Sequence, residues 1–169
     1  MKKIITGVIL ALFLLTSSVL GASQPAEEFK KTSGFPGTLP SGWSFSEERT
    51  NGYKIFVPES SDTIVGIVLI EDEEMQGLSA EQARGKFLSA MNLNSSQSAN
   101  LVKYKASYGS YGAAKGAGIK IYNVTNQTKS YSDIEFITHK KKLYLLIVAH
   151  PSDQEEVTKI RKQLLNSIF

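Results

Sequence analysis

The sequence predicts an α+β domain with a mostly antiparallel β-sheet flanked by helices. Three observations lead to this prediction. Several stretches of the chain alternate in polarity or run in β-branched residues, as strands do. Two amphipathic segments each begin with a capping box, which marks a helix N-terminus. Strands, helix, strands and helix then follow one another along the chain, an order typical of α+β folds.

The first residues have the three parts of a secretory signal peptide. Residues 1–3 carry two lysines, residues 4–15 are mostly apolar, and residues 19–23 are mostly small. We therefore expect cleavage after Gly21 or Ala22. An uncleaved membrane anchor is the alternative, although a spanning helix needs about 20 mostly apolar residues. No cysteine stands at the cleavage site, which excludes a bacterial lipoprotein anchor.

These features divide the chain into a signal peptide (1–21), a leader or linker (22–41) and a single domain (42–169). The mature protein is expected to be secreted or extracytoplasmic, in the periplasm or at the cell exterior. Removing Lys2 and Lys3 leaves 17 basic residues against 16 acidic ones, so the charge does not predict a nucleic-acid partner. The chain has no cysteine, which excludes disulfides and thiol chemistry.

The first strands are predicted around a hairpin. Residues 43–46 alternate with period two, and Asn51-Gly52 is a strong hairpin turn signal. Residues 53–58 form the return strand, which ends at a proline. Residues 63–70 are rich in β-branched side chains and are expected to form a central strand.

Both helices are predicted from caps and apolar spacing. The first covers about residues 79–91, with a capping box from Ser79 to Gln82. The second begins after Pro151, with a capping box from Ser152 to Glu155. Its apolar stripe consists of Val157, Ile160, Leu164 and Ile168.

Four more strands are predicted between the two helices. Residues 101–111 and 118–124 have strand patterns and are joined by the small-residue segment 112–117. Residues 131–138 and 143–149 form a hairpin around a lysine-rich turn.

The order of these elements resembles the PsbP-like family, whose fold is shared by the extrinsic photosystem II protein and a nuclear Ran-binding protein. The resemblance covers about residues 34–169. It rests on the strand 53–58 ending in Val-Pro, the helix opening at Ser79, and the lysine-rich hairpin followed by a capped helix ending in Leu-Asn-Ser-Ile-Phe. It implies an α-β-α sandwich and a binding or assembly role rather than catalysis. No functional motif of the photosynthetic member is matched here, so none of its residues is carried over.

The chain has two histidines, His139 and His150. His139 lies in the lysine-rich turn, where a solvated imidazole is expected. His150 precedes Pro151, where a capping or loop role is expected. The alternative is an extracytoplasmic hydrolase or metal-dependent enzyme that uses His150 with a carboxylate from elsewhere in the chain. No second histidine or cysteine is near enough in sequence to predict a zinc site.

Two further segments have compositions that could suit a ligand site. Residues 71–74 are four consecutive acids, but they lack the alternating acids and glycine of a calcium loop, so a solvated loop is expected. The glycine-rich segment 109–118 lacks the Lys-Ser/Thr pair and helix of a phosphate loop. Its small residues are expected to let a neighbouring element or a ligand approach closely. No catalytic residue, metal site or cofactor is predicted.

The remaining candidates are predicted to form a binding surface. Tyrosines suit a recognition surface because they combine an apolar ring with a hydroxyl, although an ordinary exposed sheet face is the alternative. The candidate residues are Tyr104, Tyr108, Tyr111 and Tyr122, with Lys140, Lys141 and Lys142 as a second patch. The sequence thus predicts an exported, non-enzymatic binding or assembly domain with an extracytoplasmic protein partner. A structural envelope protein tethered by an uncleaved signal is a further alternative.

Overall fold

The computed structural model describes residues 23–24, 39–41, 43–50, 53–58, 62–91, 100–125 and 128–169. The predicted signal peptide, most of the predicted leader and the Asn51-Gly52 turn lie outside them. The described residues form strands, two α-helices and one 3-10 turn at Ser110–Gly112. In chain order the elements are β1 (Ser23–Gln24), β2 (Trp43–Thr50), β3 (Tyr53–Pro58), β4 (Ile64–Leu69), α1 (Ala80–Ala90), β5 (Leu101–Tyr108), β6 (Ala114–Thr125), β7 (Thr128–His139), β8 (Lys142–His150) and α2 (Gln154–Ile168).

The strands form one antiparallel sheet with the order β1-β2-β3-β4-β8-β7-β6-β5. Strands that follow one another in sequence are neighbours, except where β4 pairs with β8. This pairing joins the first four strands to the last four at the centre of the sheet. The predicted α+β class and the antiparallel sheet are confirmed.

The two helices lie on opposite faces of the sheet. Successive side chains of a strand point to opposite faces, and β8 is buried on both of them from Leu143 to Val148. Leu143, Leu145 and Ile147 join the cluster that contains Phe87 of α1. The intervening Tyr144, Leu146 and Val148 join the cluster that contains the apolar stripe of α2. The order of layers is therefore helix, sheet, helix, as predicted.

Strand β6 corrects the prediction for the glycine-rich segment. It begins at Ala114 and not at Gly118, and it pairs along its whole length with β7 and over Ala114–Ile121 with β5. The small residues that were predicted to form a connection are therefore part of an interior strand. Strand β5 ends at Tyr108, because Gly109 has φ 72° and turns the chain into the 3-10 turn.

The helix caps are confirmed in one case and wrong in the other. Ser79 Oγ accepts from the Gln82 amide at 3.2 Å, and Gln82 Oε1 accepts from the Ser79 amide at 2.9 Å, so α1 has the predicted capping box. The cap of α2 is Asp153 and not Ser152. Its Oδ1 accepts from the amides of Glu155 and Glu156 at 2.8 and 3.1 Å. A carboxylate at this position also suits the positive end of the helix dipole.

Candidate functional site

A buried cluster of charged and phenolic side chains lies between the sheet and α2. Asp133 and Glu135 alternate along β7 with apolar residues of the opposite face, so both carboxylates point toward α2. They are 2% and 0% exposed, and Arg161 of α2, which lies between them, is 5% exposed. Tyr104 and Tyr108 of β5 complete what we call the Arg161 cluster.

Arg161 is the centre of this cluster. Its Nη1 donates to Glu135 Oε2 at 3.1 Å and to the Tyr108 hydroxyl. Its Nε lies 2.8 Å from Asp133 Oδ2. That contact is an ion pair without hydrogen-bond geometry, because neither atom has a hydrogen-bond partner among the described residues. The guanidinium also lies over the ring of Tyr104, 4.9 Å from its centroid.

Glu135 receives the phenolic hydroxyls. Tyr108 donates to Oε1 at 2.7 Å and Tyr104 donates to Oε2 at 3.0 Å. The two tyrosines therefore bridge the edge strand β5 to β7, two strands away in the sheet. They can do so because the intervening strand β6 has glycines beneath them. A methyl group at Gly116 would overlap the Glu135 carboxylate, and one at Gly118 would overlap the Tyr104 ring. The predicted close approach to the glycine-rich segment is therefore made by neighbouring side chains.

Burial shifts the ionisation of these groups. It raises the pKa of Asp133 and of Glu135. The charge of Arg161 opposes the shift at both carboxylates, the charge of Lys120 opposes it at Asp133, and the tyrosine hydroxyls oppose it at Glu135 by hydrogen bonding. Burial and the Glu135 carboxylate raise the pKa of Tyr104 and Tyr108, so both hydroxyls stay protonated as donors. Both oxygens of Glu135, both tyrosine hydroxyls and Nη1 of Arg161 hydrogen-bond within the cluster. We infer that the cluster fastens α2 to the sheet.

The raised pKa of Glu135 predicts an unusual pH dependence of stability. Between the ordinary carboxyl pKa of about 4 and the higher folded value, the folded state binds more protons than the unfolded state. The free energy of unfolding contributed by Glu135 should therefore rise as the pH falls through that window. Urea unfolding of the wild type and of Glu135→Gln should show a difference that grows in favour of the wild type as the pH is lowered from neutral toward the ordinary carboxyl pKa. The control is Glu73→Gln, at an exposed position that no salt bridge between described residues uses. A pH dependence for Glu135→Gln no steeper than that of the control would contradict the prediction.

Asp133, Glu135 and Arg161 are not among the residues predicted from the sequence. One signal for them was present. Arg161 stands four residues after Val157 and three before Leu164, so it lies on the apolar stripe of the helix rather than among its exposed charges. The signal for Asp133 and Glu135 was weaker. Acidic and apolar residues alternate around them, as they also do in an antiparallel strand that has one face in solvent.

Tyr122 lies toward the opposite end of β6 from the glycines. Its ring is 4.9 Å from that of Tyr131, its partner in the register with β7. Both rings line a cavity of about 50 Å³ beside the first turn of α2, together with Lys120 and Asp133. Such a cavity has room for a few water molecules and is much smaller than a typical organic-ligand pocket of about 300 Å³ or more.

Tyr111 is the most exposed aromatic side chain of the described residues. It is 106% exposed, with φ 57°, in the turn between β5 and β6. Lys140 and Lys141, in the turn between β7 and β8, have φ 46° and 64°. Among the described residues these are the only non-glycine residues with positive φ. Left-handed backbone is unfavourable for residues with a Cβ, and here it is confined to two turns.

The two turns lie at the same end of the sheet. Ala114 pairs with His139, and His139 Nδ1 lies 3.4 Å from the carbonyl oxygen of Ala113. A methyl group at Gly112 would come within 2.7 Å of Lys115 Nζ, so that ammonium group lies beside the Tyr111 turn. We call this surface the Lys–Tyr end. It consists of Tyr111, Lys115, Lys140, Lys141 and Lys142, whose side chains are exposed.

The structure thus divides the predicted binding residues into three groups. Tyr111 is brought together with Lys140, Lys141 and Lys142. Tyr104 and Tyr108 belong to the Arg161 cluster instead, where Tyr108 is buried and both hydroxyls bind Glu135. Tyr122 lies with Tyr131 toward the other end of the sheet. A single continuous tyrosine surface is therefore not formed.

The two histidines have local contacts. His150 Nδ1 accepts from the amides of Ser152 and Asp153 at 3.1 and 2.8 Å, which fits the expected capping role ahead of α2. The His139 ring packs against the ring of Phe169, with centroids 4.9 Å apart. Within the described part of the chain, no group of three or more His, Cys, Asp or Glu side chains could hold a metal ion.

The acidic run 71–74 lies in the turns between β4 and α1. Asp72 Oδ1 accepts from the Glu74 amide at 2.9 Å, and Glu74 pairs with Lys86 at 3.3 Å. Glu71, Glu73 and Glu74 are exposed. These contacts agree with the expected solvated loop.

No protein-family model matches the chain, and no curated protein matches it. Among solved structures it is similar to the Ran-binding protein Mog1p of Saccharomyces cerevisiae, with 11% identity over 78% of this chain and 79% of that chain and a TM-score of 0.44. It is also similar to LpqN, a protein involved in cell envelope biogenesis of Mycobacterium tuberculosis. The two are 11% identical over 88% of this chain and 83% of that chain, with a TM-score of 0.44. Human STARD10 is 10% identical over 88% of this chain and 76% of that chain, with a TM-score of 0.29.

None of the described helices is long and apolar enough to cross a membrane.

Proposed function

We propose that this chain is an exported, non-enzymatic binding domain that holds an extracytoplasmic protein partner at its Lys–Tyr end. The observation that carries the proposal is Tyr111. Its ring is fully exposed on a left-handed backbone, beside lysines that form no salt bridge with any described residue. Export is the part of the proposal that rests on the signal-peptide pattern of residues 1–21.

The contribution of the Lys–Tyr end to folding stability does not explain why an aromatic residue stands there. Burying a tyrosine ring is strongly favourable, yet Tyr111 buries none of its ring. Strained backbone persists where the surrounding structure enforces it, and it is concentrated at functional sites. Tyrosine is also enriched among the residues that dominate binding energy at protein interfaces.

The Arg161 cluster supports the non-enzymatic part of the proposal. It contains the most perturbed titratable groups of the described residues, and such groups are the usual candidates for catalysis. Here they bind one another beneath α2, where solvent has almost no access. The Nδ1 lone pair of His150 is likewise engaged by two backbone amides, which leaves only Nε2 for the alternative of a hydrolase or a metal site.

Photo-crosslinking would test the proposed surface. The experiment places benzoylphenylalanine at position 111, exposes the protein to the extracytoplasmic fraction of its source, and compares it with a probe at the exposed Lys162 of α2. We expect a discrete adduct from position 111 that is absent from position 162. The same adducts from both positions, or none from position 111, would contradict the proposal.

A substitution at position 111 gives the affinity for a partner identified in this way. Asparagine tolerates the left-handed conformation better than tyrosine does, so Tyr111→Asn should not lower the melting temperature. Loss of an aromatic anchor worth about 2 kcal/mol should weaken binding by about thirtyfold. Calorimetric titration measures both affinities, and an unchanged affinity would exclude Tyr111 from the interface.

A further inference from the structure

The turn between β7 and β8 is made of lysines where its geometry favours other residues. His139 pairs with Lys142, so Lys140 and Lys141 form a two-residue hairpin loop. Both have positive φ, which is the signature of a type I′ turn. Asn-Gly is the strongly preferred pair in such a turn, because a side chain with a Cβ is disfavoured in left-handed backbone. The turn is therefore less stable with two lysines than it would be with Asn-Gly.

We propose that Lys140 and Lys141 recognise an acidic segment of the protein partner. This inference rests on the proposed function, because it names the chemistry of the partner that binds at the Lys–Tyr end. The tight loop fixes the two Cα positions, so two ammonium groups are presented at the tip of a rigid hairpin. Lys115 and Lys142 add two more positive charges at the same end of the sheet.

The charges around this turn are open to a partner. Salt bridges between described residues use Lys86, Lys105, Lys159 and Arg161, and none uses Lys140, Lys141 or Lys142. Lys115 Nζ donates to the uncharged Ser107 hydroxyl at 3.4 Å. A partner carboxylate would therefore not have to displace an existing ion pair.

The neighbouring acidic residues favour an extended acidic segment over an anionic bilayer as the partner. The Ile70 amide donates to Leu143 O at 2.9 Å, so the acidic run 71–74 leaves the sheet close to the start of β8 and on the side of α1. An anionic bilayer would face the whole end of the sheet and would be repelled by these acids. An extended acidic segment can contact the lysine turn alone.

Three pairs of substitutions separate charge from strain. Lys140→Asn with Lys141→Gly removes two charges and relieves the turn. Lys140→Gln with Lys141→Gln removes the same charges and leaves the strain. Lys103→Gln with Lys162→Gln removes two charges from exposed positions elsewhere. We expect the first pair to raise the melting temperature by about 2–4 °C and the other two to leave it nearly unchanged.

Binding is measured with a fluorescein-labelled peptide of eight glutamates and, separately, with phosphatidylglycerol vesicles. We expect the wild type to bind the peptide with an affinity that falls as salt is added. Both variants of the lysine turn should bind about tenfold more weakly, and the Lys103/Lys162 control should bind like the wild type. Binding to vesicles but not to the peptide, no binding at all, or equal loss in the control would overturn the inference.

The two proposals fail in different ways. If the partner crosslinked at position 111 still binds the Asn-Gly variant with wild-type affinity, the Lys–Tyr end is a binding surface but the lysines do not select acidic segments. If position 111 yields no adduct, the proposed function itself is wrong.

Discussion

Replacement of Arg161 by methionine is expected to lower the free energy of unfolding by about 3–5 kcal/mol. The change removes the positive charge of the Arg161 cluster, so Glu135 stays buried without a countercharge and Asp133 keeps only the more distant Lys120. Methionine retains much of the length of the arginine side chain, so the loss reports charge more than volume. Urea unfolding monitored by circular dichroism would measure it.

Neighbouring positions supply the controls. Lys162→Met on the exposed side of α2 should change stability by less than about 0.5 kcal/mol. Adding Glu135→Gln and Asp133→Asn to Arg161→Met should recover a large part of the loss, because breaking a buried ion pair is much more destabilising than replacing it completely. A loss below about 1 kcal/mol for Arg161→Met would contradict the prediction, because it would mean that the buried carboxyl groups are neutral and need no countercharge.

Most of the fold could be predicted because it depends on local patterns. The strand runs and the Ser79 capping box are properties of a few consecutive residues, and the structure places strands and a helix there. The sequence predicts a connection at segment 112–117 because small residues have low strand propensity. Its place between β5 and β7 overrides that propensity.

The Arg161 cluster was missed because it depends on contacts between distant residues. Arg161 binds Glu135, 26 residues away, and Tyr108, 53 residues away. Its position on the apolar stripe of α2 was a signal, but a basic residue late in a helix also suits the helix dipole. The sequence alone offers no way to choose between these interpretations until the acids of β7 are placed under the helix.

The Lys–Tyr end shows a third situation, in which the residues were predicted but their assembly was not. Tyr111 and the lysine turn were separate candidates because 28 positions divide Tyr111 from His139. Two adjacent hairpin connections bring them to one end of the sheet. The left-handed backbone at Tyr111, Lys140 and Lys141 is invisible in the sequence, since none of them is a residue that favours that conformation.

Gly118→Ala is expected to lower the free energy of unfolding by about 1–3 kcal/mol, because its methyl group would overlap the Tyr104 ring above an interior strand. Gly66 of β4 is the matched control, since a methyl group there would meet nothing within 4 Å. Gly66→Ala should be neutral or stabilise by about 0.4–1 kcal/mol, because alanine restricts the unfolded chain.

Combining Gly118→Ala with Tyr104→Leu removes the ring atoms that clash, so the double variant should be less destabilised than the sum of the two single ones. Strict additivity would show that Gly118 does not make room for Tyr104, and that the ring reaches Glu135 by some other adjustment of β5.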